Sequence, residues 1–307
     1  MSSISIKKRR KQEMFHVKHI KQFDAVVCGA GHAGVEAALI LNRFKIPTAL
    51  ITIDPLAIGR MSCNPAIGGL AKGQIVKEID VLGGIMGKAT DYSALQYKIL
   101  NKSKGKSVWS PRAQVDKREY ENYINKAIVN AKHITVVQGE VVNIETERGI
   151  VSSAIMRDGQ TIGCSTLILT CGTFLNGLIH IGEKQTPAGR YDEKPSTGLS
   201  EQLEKFKMKL GRLKTGTPPR LDGSTINYEN LEKQDADTEP EYFSFLTKKT
   251  YNKQIACCVT YTNKKVHEIM KNASGNSWPI SVYLLYLALK KECHQIINIV
   301  LVFLQAW

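Results

Sequence analysis

Short apolar runs alternate with a helical pattern at the start of the chain. Phe23–Cys28 is a brief, mainly apolar run of the kind that forms a buried parallel strand. Val35–Phe44, rich in Ala and Leu, predicts a helix, and Thr48–Ile53 predicts a second strand. Two strands and a helix within about thirty residues form a βαβ crossover. The pattern therefore predicts an α/β fold built on a parallel sheet.

The rest of the chain continues as a mixture of helices and strands. Helices are predicted at Gln74–Leu82, Ser93–Asn101, Asp116–Ala131 and Ser200–Met208, and strands at Ile134–Gln138, Val141–Glu145, Ile150–Met156 and Ser165–Thr170. The acidic, polar segment from Asp222 to Glu241 predicts an exposed excursion. The apolar runs near the end of the chain are shorter than the roughly eighteen residues that cross a bilayer, so we expect no membrane anchor.

A glycine-rich loop joins the first predicted strand to the first predicted helix. The loop reads Gly29, Ala30, Gly31, His32, Ala33 and Gly34, and an acid, Asp54, lies beyond the second strand. Gly29 permits a tight turn, Gly31 lets the backbone approach a pyrophosphate, and Gly34 allows close helix packing. The loop predicts a dinucleotide site, with an ordinary glycine-rich turn as the alternative. The motif alone does not separate FAD from NAD.

Charge and cysteine content narrow the class of protein. Lys and Arg outnumber Asp and Glu by 42 to 28, giving a formal net charge of +14. Such a surplus favours a polyanionic partner, although a basic protein that is merely soluble has the same composition. The seven cysteines show no CxxC pair, and no secretory signal leads the chain, so we expect neither a metal site nor disulfides. A cytoplasmic location is predicted, with a mitochondrial one as the alternative.

Several longer strings resemble one known family. They are Met61–Gly69, Lys77–Gly84, Arg112–Gln114, Gly172–Gly177 and Gly211–Arg220, in addition to the glycine loop. From about Phe23 to Asn272 the chain is similar to the tRNA uridine 5-carboxymethylaminomethyl modification enzymes, the glucose-inhibited division protein A family. The resemblance implies a Rossmann-like FAD-binding domain of the glutathione-reductase type with an inserted second α/β domain, here truncated.

The resemblance also suggests how the chain is divided. Residues 1–22 carry seven Lys or Arg and are expected to form a basic, disordered leader. Residues 23–199 correspond to an incomplete FAD-binding domain, and residues 200–272 to the start of an inserted nicotinamide or substrate domain. Residues 273–307 resemble nothing in the family, whose members are longer. This predicts a frameshifted or interrupted product that is not a competent enzyme by itself.

The family implies FAD-dependent addition of a carboxymethylaminomethyl or aminomethyl group to C5 of the tRNA wobble uridine. It implies methylene-tetrahydrofolate as one-carbon donor, NADH as reductant of the flavin, a GTPase partner subunit and a homodimer. The family's flavin contacts carry over to Gly29–Gly34, Val141 and Ser196. The alternatives are a folate- and FAD-dependent tRNA uracil-5 methyltransferase, or an inactive fragment with residual nucleotide or RNA binding.

Cys63 is the candidate catalytic residue. A thiolate that attacks C6 of uracil creates an enolate that takes up an electrophilic carbon at C5. Arg60 and Lys72 are near in sequence and would favour the thiolate, whereas a small buried packing residue is the ordinary fate of a free cysteine. Five cations are candidate contacts to tRNA phosphates or to the anionic parts of FAD and NADH, and each could equally be a solvated surface charge. They are Lys72, Arg112, Arg212, Lys214 and Arg220.

Overall fold

The computed structural model describes residues 21–62, 64–181, 184–212 and 221–274. The helices are α1 (His32–Arg43), α2 (Lys72–Val81), α3 (Met86–Ser93), α4 (Lys117–Val129), α5 (Leu199–Lys205) and α6 (Lys264–Ser274). The strands are β1 (Lys21–Cys28), β2 (Thr48–Thr52), β3 (Ala66–Gly68), β4 (Ala94–Leu100), β5 (Ser110–Val115), β6 (Ile134–Gln138), β7 (Val141–Glu147), β8 (Ile150–Met156), β9 (Thr161–Leu169), β10 (Leu178–Ile181), β11 (Lys184–Pro187), β12 (Glu232–Gln234) and β13 (Cys257–Val259).

A six-stranded sheet with the order β6-β2-β1-β9-β8-β7 forms the centre of the fold. Strands β6, β2, β1 and β9 run parallel, whereas β8 and β7 are antiparallel additions at one side. The β1 residues Val26 and Val27 are fully buried, because β1 has a strand on each side and packed layers on both faces. The predicted α/β fold with a parallel sheet is confirmed.

Apolar side chains cover the two faces of this sheet differently. On one face α1 packs beside α4, whose Tyr120, Ile124 and Ile128 recur every four residues and form one buried stripe. On the other face, side chains of β1 and β2 cluster with Ile144 of β7, Met156 of β8 and the buried Leu199 of α5. Each such side chain contributes about 1.5–3 kcal/mol of hydrophobic stabilisation. The strand ends between these layers are thereby held in fixed positions.

A second, antiparallel sheet has the order β3-β5-β4 and corrects one prediction. The helix predicted at Ser93–Asn101 is wrong, because β4 occupies residues 94–100 and pairs with β5. Gln96 is 1% exposed, and its amide donates to the Gln234 carbonyl at 2.7 Å. Tertiary pairing has overridden the helical preference of Ala, Leu, Gln and Lys in this segment.

Residues beyond 221 return to this second sheet. The Asp237 N–H donates to the Tyr97 carbonyl at 2.9 Å, and the Ile255 N–H donates to the Leu95 carbonyl at 2.8 Å. Phe243 is fully buried in the core formed with α4. Most of residues 222–241 are exposed, as expected for the polar excursion. The domain boundary between residues 199 and 200 stays a prediction.

Residues 1–20 and 275–307 lie outside the described residues, and so do almost all of the predicted leader and most of the predicted divergent tail. Within the part of the chain that the structure describes, no helix combines the length and apolarity needed to cross a membrane.

Candidate functional site

The glycine loop lies at the carboxyl end of β1, where the chain turns into α1. Gly29 has a φ of +100°, which favours glycine, and its N–H donates to the Ile51 carbonyl at 2.8 Å. A Cβ at Gly34 would lie 1.8 Å from the Gly29 carbonyl oxygen, so the helix packs directly on the loop. A Cβ at Gly31 would meet no atom of the described residues within 4 Å. Gly31 therefore faces open space, where the motif requires room for a ligand.

The N-terminus of α1 carries no side-chain cap. Its N-cap residue is Gly31, and the first turn contains no acidic side chain. Unpaired N–H groups and the positive end of the helix dipole attract an anion at such a terminus. Together with the open face of Gly31, this arrangement fits a pyrophosphate group.

Val141 and Ser196 lie at the same edge of the sheet as the glycine loop. The Val141 N–H donates to the sulfur of Cys28, the residue that precedes the loop. The carboxylate of Glu140 accepts from the Ser196 hydroxyl, and it also accepts from the Thr197 N–H at 3.2 Å. The structure thus brings together the three parts of the chain that were predicted to contact FAD. That they bind FAD stays a prediction.

Thr170 braces the loop from the adjacent strand. Its hydroxyl lies 2.9 Å from the carbonyl oxygens of both Cys28 and Gly29, and its N–H donates to Cys28 at 2.8 Å. The sequence indicated Thr170 only as the end of a strand. The sequence feature that could have indicated this role is a hydroxyl residue at the carboxyl end of a buried strand.

The His32 ring, which is partly exposed, packs against the buried Tyr120 of α4. It meets the ring of Tyr120 edge to face, with centroids 5.6 Å apart, and its Nδ1 lies 3.4 Å from the Tyr120 hydroxyl. Burial, together with the nearby positive charge of Arg190, lowers the pKa of His32 to about 4. The ring is therefore neutral at neutral pH.

Asp54 lies just beyond β2, where the dinucleotide motif places an acid. Its carboxylate accepts from the Leu56 N–H at 2.9 Å and lies 3.5 Å from the Arg60 guanidinium. The side chain is nearly half exposed, so its remaining lone pairs are accessible.

A cleft of about 380 Å³ opens beside the loop. It is lined by Arg60, Met61, Ser62, Lys117, Arg118, Glu121, Arg190, Tyr191 and Glu193. The Gly59 N–H donates to the Ala30 carbonyl at 2.9 Å and ties this region to the glycine loop. Ser62 directly precedes Cys63, which lies outside the described residues. The segments that line the cleft are far apart in sequence, and no spacing rule connects them. Among the lining residues, sequence reasoning therefore singled out only Arg60, as a neighbour of Cys63.

The three predicted phosphate-binding cations that lie in the described part of the chain, Lys72, Arg112 and Arg212, do not line this cleft. Lys72 begins α2, and the exposed Arg212 donates to the Asn176 carbonyl at 2.9 Å. Arg112 on β5 is 2% exposed, and its Nε and Nη1 have no hydrogen-bond partner. Burial lowers the pKa of the Arg112 guanidinium. Lys214 and Arg220 lie outside the described residues, and a phosphate-binding role for all five stays a prediction.

The described cysteines are free thiols. Cys28 and Cys171 are in contact near the ends of β1 and β9. This contact is the largest cause that raises the pKa of Cys28, and burial is the second. In the described ranges, no three side chains of His, Cys, Asp or Glu are grouped so as to hold a metal ion.

A parallel sheet whose first crossover carries this loop defines a Rossmann-type dinucleotide-binding α/β protein. The chain belongs to the family described as glucose inhibited division protein A, whose model matches residues 24–292. That match continues past Asn272, so part of the segment predicted to diverge is still covered by the family model.

Curated relatives and a solved structure agree with this membership. The tRNA uridine 5-carboxymethylaminomethyl modification enzyme MnmG of Thermodesulfovibrio yellowstonii is 50% identical over 252 residues, which cover 82% of this chain and 40% of that protein. The enzyme of the same name from Geobacter sulfurreducens is 47% identical over 261 residues, covering 85% of this chain and 42% of that protein. Aquifex aeolicus GidA superposes with a TM-score of 0.77 at 45% identity, covering 82% of this chain and 43% of that one. The chain thus spans about two fifths of the length of the curated relatives it matches.

Proposed function

We propose that this chain is the FAD-binding part of an enzyme that modifies C5 of the wobble uridine in tRNA. The observation that carries the proposal is the glycine loop, with the open face of Gly31 at the uncapped start of α1. The names of the relatives, which describe tRNA uridine modification, support the substrate. The net charge of +14 supports a polyanionic partner.

The residues at the carboxyl edge of the sheet would hold the cofactor. Within Gly29–Gly34, the backbone N–H groups at the start of α1 would receive the pyrophosphate, and Val141 and Ser196 would line the adjacent part of the site. FAD supplies the redox chemistry of the reaction when it is bound. The role of the protein here is to fix the loop, which it does through the bonds from Thr170 and the close contact at Gly34.

Cys63 would supply the nucleophile. Its thiolate would add to C6 of uracil, and the resulting enolate would form a bond from C5 to an electrophilic carbon. Loss of the C5 proton to a base and departure of the thiolate would then restore the C5–C6 double bond. Arg60, in the cleft that Ser62 also lines, places a positive charge near this segment, which favours the thiolate.

We extend the proposal to the remaining components on the family resemblance alone. They are methylene-tetrahydrofolate as the one-carbon donor, NADH as the reductant, a GTPase partner subunit, a homodimer and a cytoplasmic location. They belong to a polypeptide of the length of the relatives.

Replacing Cys63 by Ser tests the proposal. Cells that lack their own enzyme of this family would express the chain extended by the remaining sequence of the Thermodesulfovibrio relative. We expect the modified wobble nucleoside in digested tRNA, measured by mass spectrometry, to fall to background in Cys63→Ser while bound flavin is unchanged. A serine hydroxyl is far less nucleophilic than a thiolate at neutral pH.

The matched control is Cys258→Ser, which alters a half-buried thiol outside the cleft. Undiminished modification in Cys63→Ser would show that Cys63 is a packing residue. Absence of the nucleoside with the unsubstituted chain would overturn the proposed function, and 5-methyluridine in its place would favour the methyltransferase alternative.

A further inference from the structure

A short, closed turn forms one wall of the cleft. The Gly189 N–H donates to the Glu193 carbonyl and the Glu193 N–H donates to the Arg190 carbonyl, both at 3.0 Å. These two bonds fix the backbone on both sides of Tyr191. The side chains of Arg190 and Tyr191 are therefore presented by a preformed turn.

Two guanidinium groups in this cleft share one carboxylate. Glu193 lies 3.4 Å from Arg60 and 3.6 Å from Arg190, and both distances exceed the roughly 2.7–2.9 Å of a good charge-assisted hydrogen bond. The Nη1 of Arg190 is buried and has no hydrogen-bond acceptor among the residues that the structure describes. The Arg190 guanidinium also lies over the ring of Phe174, 4.9 Å from its centroid, which holds it in place. The Arg190 guanidinium thus keeps hydrogen-bond donors that a ligand in the cleft could use.

The opposite wall adds further positive charge. Lys117 and Arg118 come from the first turn of α4, and Glu121 one turn later accepts from the Met61 N–H at 3.3 Å. In total, four cationic side chains and two carboxylates line the cleft. The surplus is positive and suits a phosphate group.

The rim of the cleft carries an exposed aromatic ring. Tyr191 is 70% exposed, although a large aromatic side chain gains most when it is buried. Exposed aromatic rings beside cations are typical of surfaces that hold unstacked bases of single-stranded RNA. A volume of about 380 Å³ falls in the range of small-ligand sites and has room for a single nucleotide.

We infer that this cleft binds one nucleotide of an RNA strand, with its phosphate between Arg60, Arg118 and Arg190 and its base against Tyr191. The inference rests on the proposed function, because Ser62 places the cleft next to the proposed nucleophile. The glycine loop does not contribute to the lining, so the flavin pyrophosphate belongs to the loop and the RNA phosphate to the cleft.

Binding of a fluorescent anticodon stem-loop RNA with an unmodified wobble uridine tests this inference on the full chain by anisotropy. We expect Tyr191→Ala to weaken binding about tenfold, because it removes one base stack, and Tyr191→Phe to restore it. Tyr228→Ala, which removes another exposed tyrosine outside the cleft, is the matched control and should bind as the wild type does.

The cations are tested by the salt dependence of the same binding. The plot of log association constant against log salt concentration has a negative slope. Arg118→Gln and Arg190→Gln should each reduce the magnitude of this slope by about one, since each removes a phosphate contact. Lys126→Gln, which removes an exposed cation farther along α4, should leave the slope unchanged. Arg190→Lys also loses the guanidinium contacts but keeps the charge. A wild-type slope for Arg190→Lys would show that the result for Arg190→Gln comes from the lost charge and not from lost folding.

Bound flavin is measured in every preparation by its absorbance. Loss of flavin with unchanged RNA affinity in the Tyr191 and Arg190 variants would overturn the inference and assign the cleft to the cofactor. RNA affinity equal to that of the wild type in all cleft variants would also overturn the inference. The charged side chains of the cleft would then serve only to pair with one another. A wild-type chain that binds no RNA would contradict the proposed function together with the inference.

Discussion

Gly31 and Gly34 stand three residues apart in one loop, yet they are glycines for different physical reasons. At Gly34 a side chain would collide with the Gly29 carbonyl oxygen and Thr170, so the fold itself requires glycine. At Gly31 a side chain would meet no atom of the described residues within 4 Å, and the proposed pyrophosphate is what would require glycine there. The sequence predicted both positions from one motif. Only the structure separates a folding constraint from a binding constraint.

His32 lies in the same loop but acts through its burial. Its pKa of about 4 in the folded chain is below the ordinary value of 6.5, so the unfolded chain binds more protons between these pH values. Folding stability contributed by the neutral ring is present above pH 6.5 and is lost as the pH falls towards 4. Between pH 7 and 5 this loss amounts to about 2 kcal/mol.

We therefore expect the urea unfolding free energy of the wild type to fall by about 2 kcal/mol more than that of His32→Gln between pH 7 and 5. Other titrating groups are common to both proteins and cancel in the comparison. Equal pH dependence of the two proteins would show that burial and the charge of Arg190 do not hold His32 neutral.

At the scale of elements, one buried carboxylate connects α3 to the returning segment. Asp91 accepts from the Phe243 N–H at 2.9 Å, from the Ser244 N–H at 2.8 Å and from the Thr247 hydroxyl at 2.7 Å. It also accepts from the Tyr97 hydroxyl at 3.0 Å. Burial raises the pKa of Asp91, and the donors oppose this shift. The carboxylate therefore holds the turn that places Phe243 in the core.

Asp91→Asn should lower the unfolding free energy by at least about 2 kcal/mol, because an amide cannot accept from all four donors. Denaturant unfolding followed by circular dichroism measures this change. The control, Asp235→Asn, alters an exposed acid in the same returning segment and should change stability by less than about 0.5 kcal/mol. Equal stability of Asp91→Asn and the wild type would refute the connection.

The elements that sequence patterns predicted well are those with local causes. The strand at Ile134–Gln138 and the strand at Ile150–Met156 have the predicted limits, and α1 and α4 differ by a few residues at their ends. The strand β4 was missed because Gln96 is buried by Gln234 and Cys257, which are far along the chain. Local periodicity contains no information on such pairing.

At the scale of the whole molecule, the parallel sheet collects the site from distant segments. The start of β7 contacts the end of β1 through Val141 and Cys28, and Ser196 bonds to Glu140, which precedes β7. The loop, Val141 and Ser196 could be predicted from motif and resemblance. The cleft could not, because the residues of its two walls, such as Arg118 and Arg190, are joined only by the topology.

The flavin content of the purified chain tests the central claim most directly. Absorbance at about 450 nm would be compared for the wild type, Gly31→Val and Gly211→Val. The control is matched, because a Cβ at Gly211 also meets no atom of the described residues within 4 Å but lies outside the glycine loop. We predict bound FAD in the wild type and Gly211→Val, and its loss in Gly31→Val with unfolding stability unchanged. Equal flavin in all three proteins, or none in the wild type, would contradict a dinucleotide site at this loop.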